Sequence, residues 1–148
     1  MLKYSAEYLI MHEDDVDWEK ISADPEQYLS LIETRLFRKR INWKVYLPLH
    51  QNLITDSILE CASKYFDSDI YEILAGFDIV NDKFILNHRD KFDYKLLIEN
   101  AHVGADVLLE TLDLWKSIPD IKKSFQNSKY IDIDSDKYEQ IKLILECI

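Results

Sequence analysis

Apolar residues recur along this chain mainly at the three- and four-residue intervals of a helix, and only two short stretches suggest a strand. The longest helical run covers residues 91–117. Tyr94, Leu97, Ile98, Ala101, Ala105, Leu108, Leu112 and Trp115 fall within about 100° of arc, and Glu99, Asp106, Glu110 and Asp113 within about 60° on the other side. The spacing predicts one long amphipathic helix with a core-facing stripe and an acidic stripe, capped by Asp90 and carrying Gly104 in its interior. Pro119 ends it and starts a short helix that stops near Phe125.

Other segments are shorter. Residues 5–11 read as a brief helix leading into an acidic connection around Trp18. Asp24, Pro25 and Gln27 form a capping-box pattern that opens a helix with Leu29, Ile32 and Leu36 on its inner face. His50 opens the next helix, from Leu49 to Phe66, with Ile54, Ile58, Cys61, Ala62 and Tyr65 inward. A further one runs from Asp69 to Ala75, with Gly76 as its stop. Ser135 or Asp136 caps a final helix with Ile141, Ile144, Leu145 and Ile148 inward. Ile41 to Leu47 alternates apolar and polar residues and is the best strand candidate. Phe77 to Leu86 reads as a hairpin about Asn81-Asp82 or as an irregular loop.

These elements predict a mainly α fold: a single-domain helical bundle, residues 1–148, of five to seven helices, with room for one short strand or β-hairpin. No internal repeat of 20 to 50 residues is visible. Composition supports this reading. A 47% hydrophobic content excludes a disordered chain, and only two Gly and three Pro argue against folds built from many tight turns. Cys61 and Cys147 lie on apolar helix faces and read as reduced core thiols. No apolar run is long enough to span a membrane and no export leader is recognisable, so a cytoplasmic, soluble protein is expected.

Charge narrows the function. The chain carries a net charge of −10, yet Arg35, Arg38, Lys39, Arg40 and Lys44 form a decade without a single acid. The acid excess repels phosphate, which disfavours direct nucleic-acid binding and favours a basic partner. The basic decade reads as a helix end or as half of an ion-pair network with the N-terminal acids. Charge of this size also keeps a protein dissolved.

Catalytic signatures are weak. Glu99-Asn-Ala-His102 has the Glu-x-x-His spacing of carboxylate-bridged di-iron sites, with Asp106 one turn on, but the second copy such sites require is missing. His12 with the neighbouring acids lacks the glycine and terminal glutamate of a calcium loop. There is no nucleophile elbow and no glycine-rich phosphate loop. The expectation is a non-enzyme without metal or cofactor.

What remains is a helical body presenting two acidic patches, Glu13, Asp14, Asp15 and Asp17 beside Trp18, and Glu99, Asp106, Glu110 and Asp113. In size, acid excess and lack of catalytic motif the chain resembles the small acidic immunity proteins that bacteria make against their own toxins, many of them basic nucleases. Phage anti-restriction proteins share the profile. The resemblance implies a non-catalytic inhibitor that neutralises a basic partner, a cognate toxin domain, through those nine residues, its carboxylates replacing the phosphates of the toxin's substrate. The alternatives are a structural or scaffold subunit of a larger assembly and a metal-dependent enzyme using Glu99, His102 and Asp106.

Overall fold

The computed structural model describes residues 4–77 and 80–148, and among these every regular element is helical. Twelve α-helices follow one another: α1 (Ala6–Met11), α2 (Trp18–Ser22), α3 (Leu31–Phe37), α4 (Trp43–Leu49), α5 (Asp56–Ala62), α6 (Ser68–Leu74), α7 (Asp82–Asn87), α8 (Tyr94–Asn100), α9 (Ala105–Glu110), α10 (Leu112–Trp115), α11 (Ile121–Gln126) and α12 (Glu139–Glu146). None exceeds eight residues. Helices this short are unstable alone in water, so packing and end-capping must hold them. The chain divides into two compact units, Met1–Ile70 and Tyr71–Ile148, with the division inside α6.

Helix–turn–helix pairs recur with a fixed register. The helices α1, α3, α5, α7 and α9 begin at residues 6, 31, 56, 82 and 105. The first four are each followed twelve residues later by the start of a second helix, at residues 18, 43, 68 and 94. The same chemistry stands at equivalent positions. Ser5, Ser30, Thr55 and Asn81 cap the first helices, each side chain accepting from the backbone N–H three residues on. The fourth residue of each first helix, Leu9, Thr34, Leu59, Ile85 and Leu108, is wholly buried. Asp17, Asp67 and Asp93 accept backbone N–H groups at the start of the second helices. Asn42 holds the equivalent place.

An aromatic donor locks three of the turns. Trp18 Nε1 donates to the Glu13 carbonyl at 2.8 Å and Trp43 Nε1 to the Arg38 carbonyl at 2.8 Å. Tyr94 Oη donates to the Arg89 carbonyl at 2.6 Å. Each bond reaches back five residues, satisfying a carbonyl left over where the first helix ends.

In the first unit α3 packs on α5 and α2 on α4, first helix against first and second against second. The core holds Leu9, Ile21, Phe37, Trp43, Tyr46, Leu47 and Leu59. In the second unit α7 packs on α9, α9 on α12, and α8 on α11. Its core centres on Phe84, Leu97, Ile98, Leu108, Trp115, Phe125 and Ile141.

The mainly α expectation holds, but the structure exceeds five to seven helices and the repeat was overlooked. The shared positions are caps and buried sites that accept Ser, Thr or Asn, and Leu, Thr or Ile, so residue identity hides them. The strand expected at Ile41 to Leu47 is the start of α4. Ile41, Trp43, Tyr46 and Leu47 are buried, while Val45, which alternation required inside, is only half-buried. In the hairpin region, residues 78 and 79 lie outside the described residues, and α7 occupies Asp82–Asn87. Asp24 and Gln27 shape a turn before α3, whose cap is Ser30; the buried Gln27 amide instead holds the Tyr4 backbone N–H and carbonyl. His50 closes α4 and also stands at the start of a single 3-10 turn, Gln51–Leu53, while the α-helix expected from Leu49 to Phe66 is confined to Asp56–Ala62. Cys61 is half-buried and Cys147 exposed, so neither is a core thiol.

The long helix at 91–117 is three helices. Asp93 caps the first, and the chain is extended at Ala101 (φ −118°, ψ 159°) before α9 starts after Gly104. Gly104 is therefore not interior. It stands at the cap position of α9, where its N–H donates to Asp82 Oδ1 at 3.1 Å. A Cβ there would press on the same carboxylate, which would have to swing aside and give up that bond.

Candidate functional site

Broken this way, the second acidic patch is rearranged. Asp106 and Glu110 lie one turn apart on α9, exposed, and Asp113 follows on α10. Glu99 is on α8, half-buried, where its carboxylate accepts the Ser124 hydroxyl of α11 at 2.9 Å. Asp113 pairs with Arg89 at 3.0 Å. Two of the four acids thus share a face of α9, Asp113 on the next helix is partly neutralised, and Glu99 fastens helix to helix.

The first patch is tied into the fold. Arg40 Nε meets Glu13 at 3.3 Å and its Nη2 meets Asp14 at 2.6 Å, joining the turn after α1 to the turn after α3. These bonds, that to Asp14 foremost, raise the Arg40 pKa above its ordinary value. Asp17 is occupied as the cap of α2, and the Trp18 ring lies tilted against buried Phe37, centroids 5.3 Å apart. Asp15 stands exposed.

The basic decade divides by role. Arg38 donates to the Cys61 carbonyl and lies over the Tyr65 ring at 5.7 Å. Lys44 binds Asp69 at 2.8 Å and Asp67 at 3.6 Å, and its pKa is raised, by the Asp69 bond first. Arg35 and Lys39 are exposed and form no ion pair among the described residues. Trp43, whose exposure beside these charges would have favoured nucleic acid, is buried.

The histidines do not converge. His102 is exposed with its ring 3.7 Å from that of Tyr130. His88 lies against Tyr71 and Phe84. Among the described residues no three His, Cys, Asp or Glu side chains gather as a metal would require. A cleft of about 280 Å³ by α11 and α12 is floored by Phe125 and Leu145 and rimmed by Lys122, Lys142 and Glu146, with neither histidine nor cysteine.

Sequence reasoning missed two features. Large apolar side chains stand in solvent on short helices, notably Met11 at 79% and Ile32 at 72% exposure. Their signal was available: Ile32 was assigned inward only because α3 was given the wrong start. The other is the buried His50. A ring N–H donates to the Asp24 carbonyl, the Nε2 acceptor has no partner among the described residues, and burial lowers its pKa from 6.5.

No helix among the described residues is long and apolar enough to cross a membrane. Comparison with known proteins found no matching family model, no matching curated protein and no matching solved structure.

Proposed function

We propose that this chain is a non-catalytic binding protein of the cytoplasm that neutralises a basic protein partner, in the manner of an immunity protein that occupies a nuclease toxin. One observation carries the reading: Asp106 and Glu110 stand exposed one turn apart on α9, and Asp113 stands exposed on α10, the next helix. Carboxylates held at fixed spacing on a packed helix speed encounter with a basic surface and lose little freedom on binding. Asp15 extends the acidic character in the first unit. Glu13, Asp14, Asp17 and Glu99 contribute chiefly by holding the fold, so the contact surface is narrower than nine residues.

The test is capture of proteins from the native host on the immobilised chain, at low and then high salt, beside the variant D106K/E110K/D113K. A basic protein retained at low salt, released by salt and lost by the variant, with the helical circular dichroism unchanged, supports the reading. Equal capture by both chains overturns it.

A second reading, a structural subunit of an assembly, is favoured by the exposed apolar side chains. Repeated helical pairs expose stackable surfaces, and surfaces of this kind mark contacts between chains.

A further inference from the structure

The repeat register aligns the outward faces of α1 and α3. Positions two, five and six of α1 are Glu7, Ile10 and Met11, and those of α3 are Ile32, Arg35 and Leu36, within about 100° of arc on each helix. All six are exposed. Each face carries two apolar side chains, but the signs differ: α1 carries Glu7 and α3 carries Arg35, with Lys39 one turn on. The fold engages Arg38, Arg40 and Lys44 elsewhere and leaves unpaired, among the described residues, the two bases on this stripe.

We propose that this face is an interface between two copies of the chain, α1 of one lying antiparallel on α3 of the other about a two-fold axis. Tyr4 bonds Gln27 before the two helices and Arg40 bonds Glu13 and Asp14 after them, so α1 and α3 run the same way. A two-fold axis perpendicular to them reverses one set against the other, and the contact is made twice. In that register Met11 meets Ile32 of the second copy, and Glu7 meets Arg35 and Lys39 of the second copy. Apolar anchors flanked by opposite charge suit a specific contact between surfaces of one sequence. The inference is independent of the acidic row on α9, so either can fail without the other.

Sedimentation velocity on the full chain across a concentration series tests it. The expected result is a mass that doubles with concentration. R35E/K39E weakens association by about tenfold or more, because symmetry counts each change twice. Adding E7K to that variant recovers it, and I32S/L36S abolishes it. All these positions are exposed, so the helical circular dichroism should persist in every variant. A chain that stays monomeric throughout the series overturns the proposal. So does a dimer indifferent to I32S/L36S, or a face that captures another protein while the chain itself remains monomeric.

Discussion

At the scale of single residues, His50 sets a pH dependence. Its folded pKa lies below the ordinary 6.5, because burial disfavours the charged ring more than the Asp24 carbonyl favours it. The unfolded chain therefore binds the proton more readily, and stability present above pH 6.5 is lost as pH falls below it. Urea unfolding between about pH 5.5 and 7.5, one unit either side of the unperturbed histidine value, should show this slope, and His50→Phe should flatten it. The unpartnered Nε2 also costs about 1–3 kcal/mol in the native chain, so the loss of the Asp24 bond in that variant is partly offset. Tyr94 acts at the other end of the scale. Burial pushes its phenol up to about 12, so stability present below pH 10 declines as pH rises toward that value. Gly104→Ala should cost less than about 1 kcal/mol, because the Asp82 carboxylate that its Cβ meets is the exposed end of a flexible side chain and can swing away, giving up its bond to the residue 104 N–H. In the Asp82→Ala background the substitution should cost nothing further. Chemical denaturation of the three variants measures both.

At the scale of elements, the turns are specified by three positions in sequence: an apolar residue, a cap, then an aromatic. Val16-Asp17-Trp18, Ile41-Asn42-Trp43 and Phe92-Asp93-Tyr94 each write it. Trp18→Phe, Trp43→Phe and Tyr94→Phe each remove one hydrogen bond and should cost about 0.5–1.5 kcal/mol. The largest cost is expected for buried Trp43 and the smallest for half-buried Trp18, read as shifts of the denaturation midpoint. The same triplets explain what the sequence made legible. Helical periodicity was clear because most buried positions follow three- and four-residue spacing. Boundaries were not, since a pattern of 3.6 residues continues in phase across Ala101 to Gly104 although the backbone there is extended. Alternation over Ile41 to Leu47 mimicked a strand because Trp43 and Leu47 are also one turn apart. For the candidate site, exposure of Asp106 and Glu110 was readable, but the ion pairs of Arg40 and Arg89 bridge 24 to 27 residues and leave no local trace.

At the scale of the whole molecule, the charge of −10 is less uniform than it looks. Arginines and lysines answer some of the acids across turns, among them Glu13, Asp14, Asp67, Asp69 and Asp113. Stability should likewise be regional, since each helix leans mainly on neighbours of its own rank. Leu59→Ala and Leu108→Ala each empty a fully buried site and should cost about 2–5 kcal/mol. Amide hydrogen exchange should show the first loosening residues 4–70 more than the rest, and the second loosening 71–148 more.

A twenty-five-residue pattern pinned by a cap, one internal anchor and an aromatic latch leaves most of its surface unconstrained. Descendants of such a chain can therefore drift widely and still fold alike. Kinship would be read from the rhythm of capping and anchoring residues long after pairwise identity has worn away.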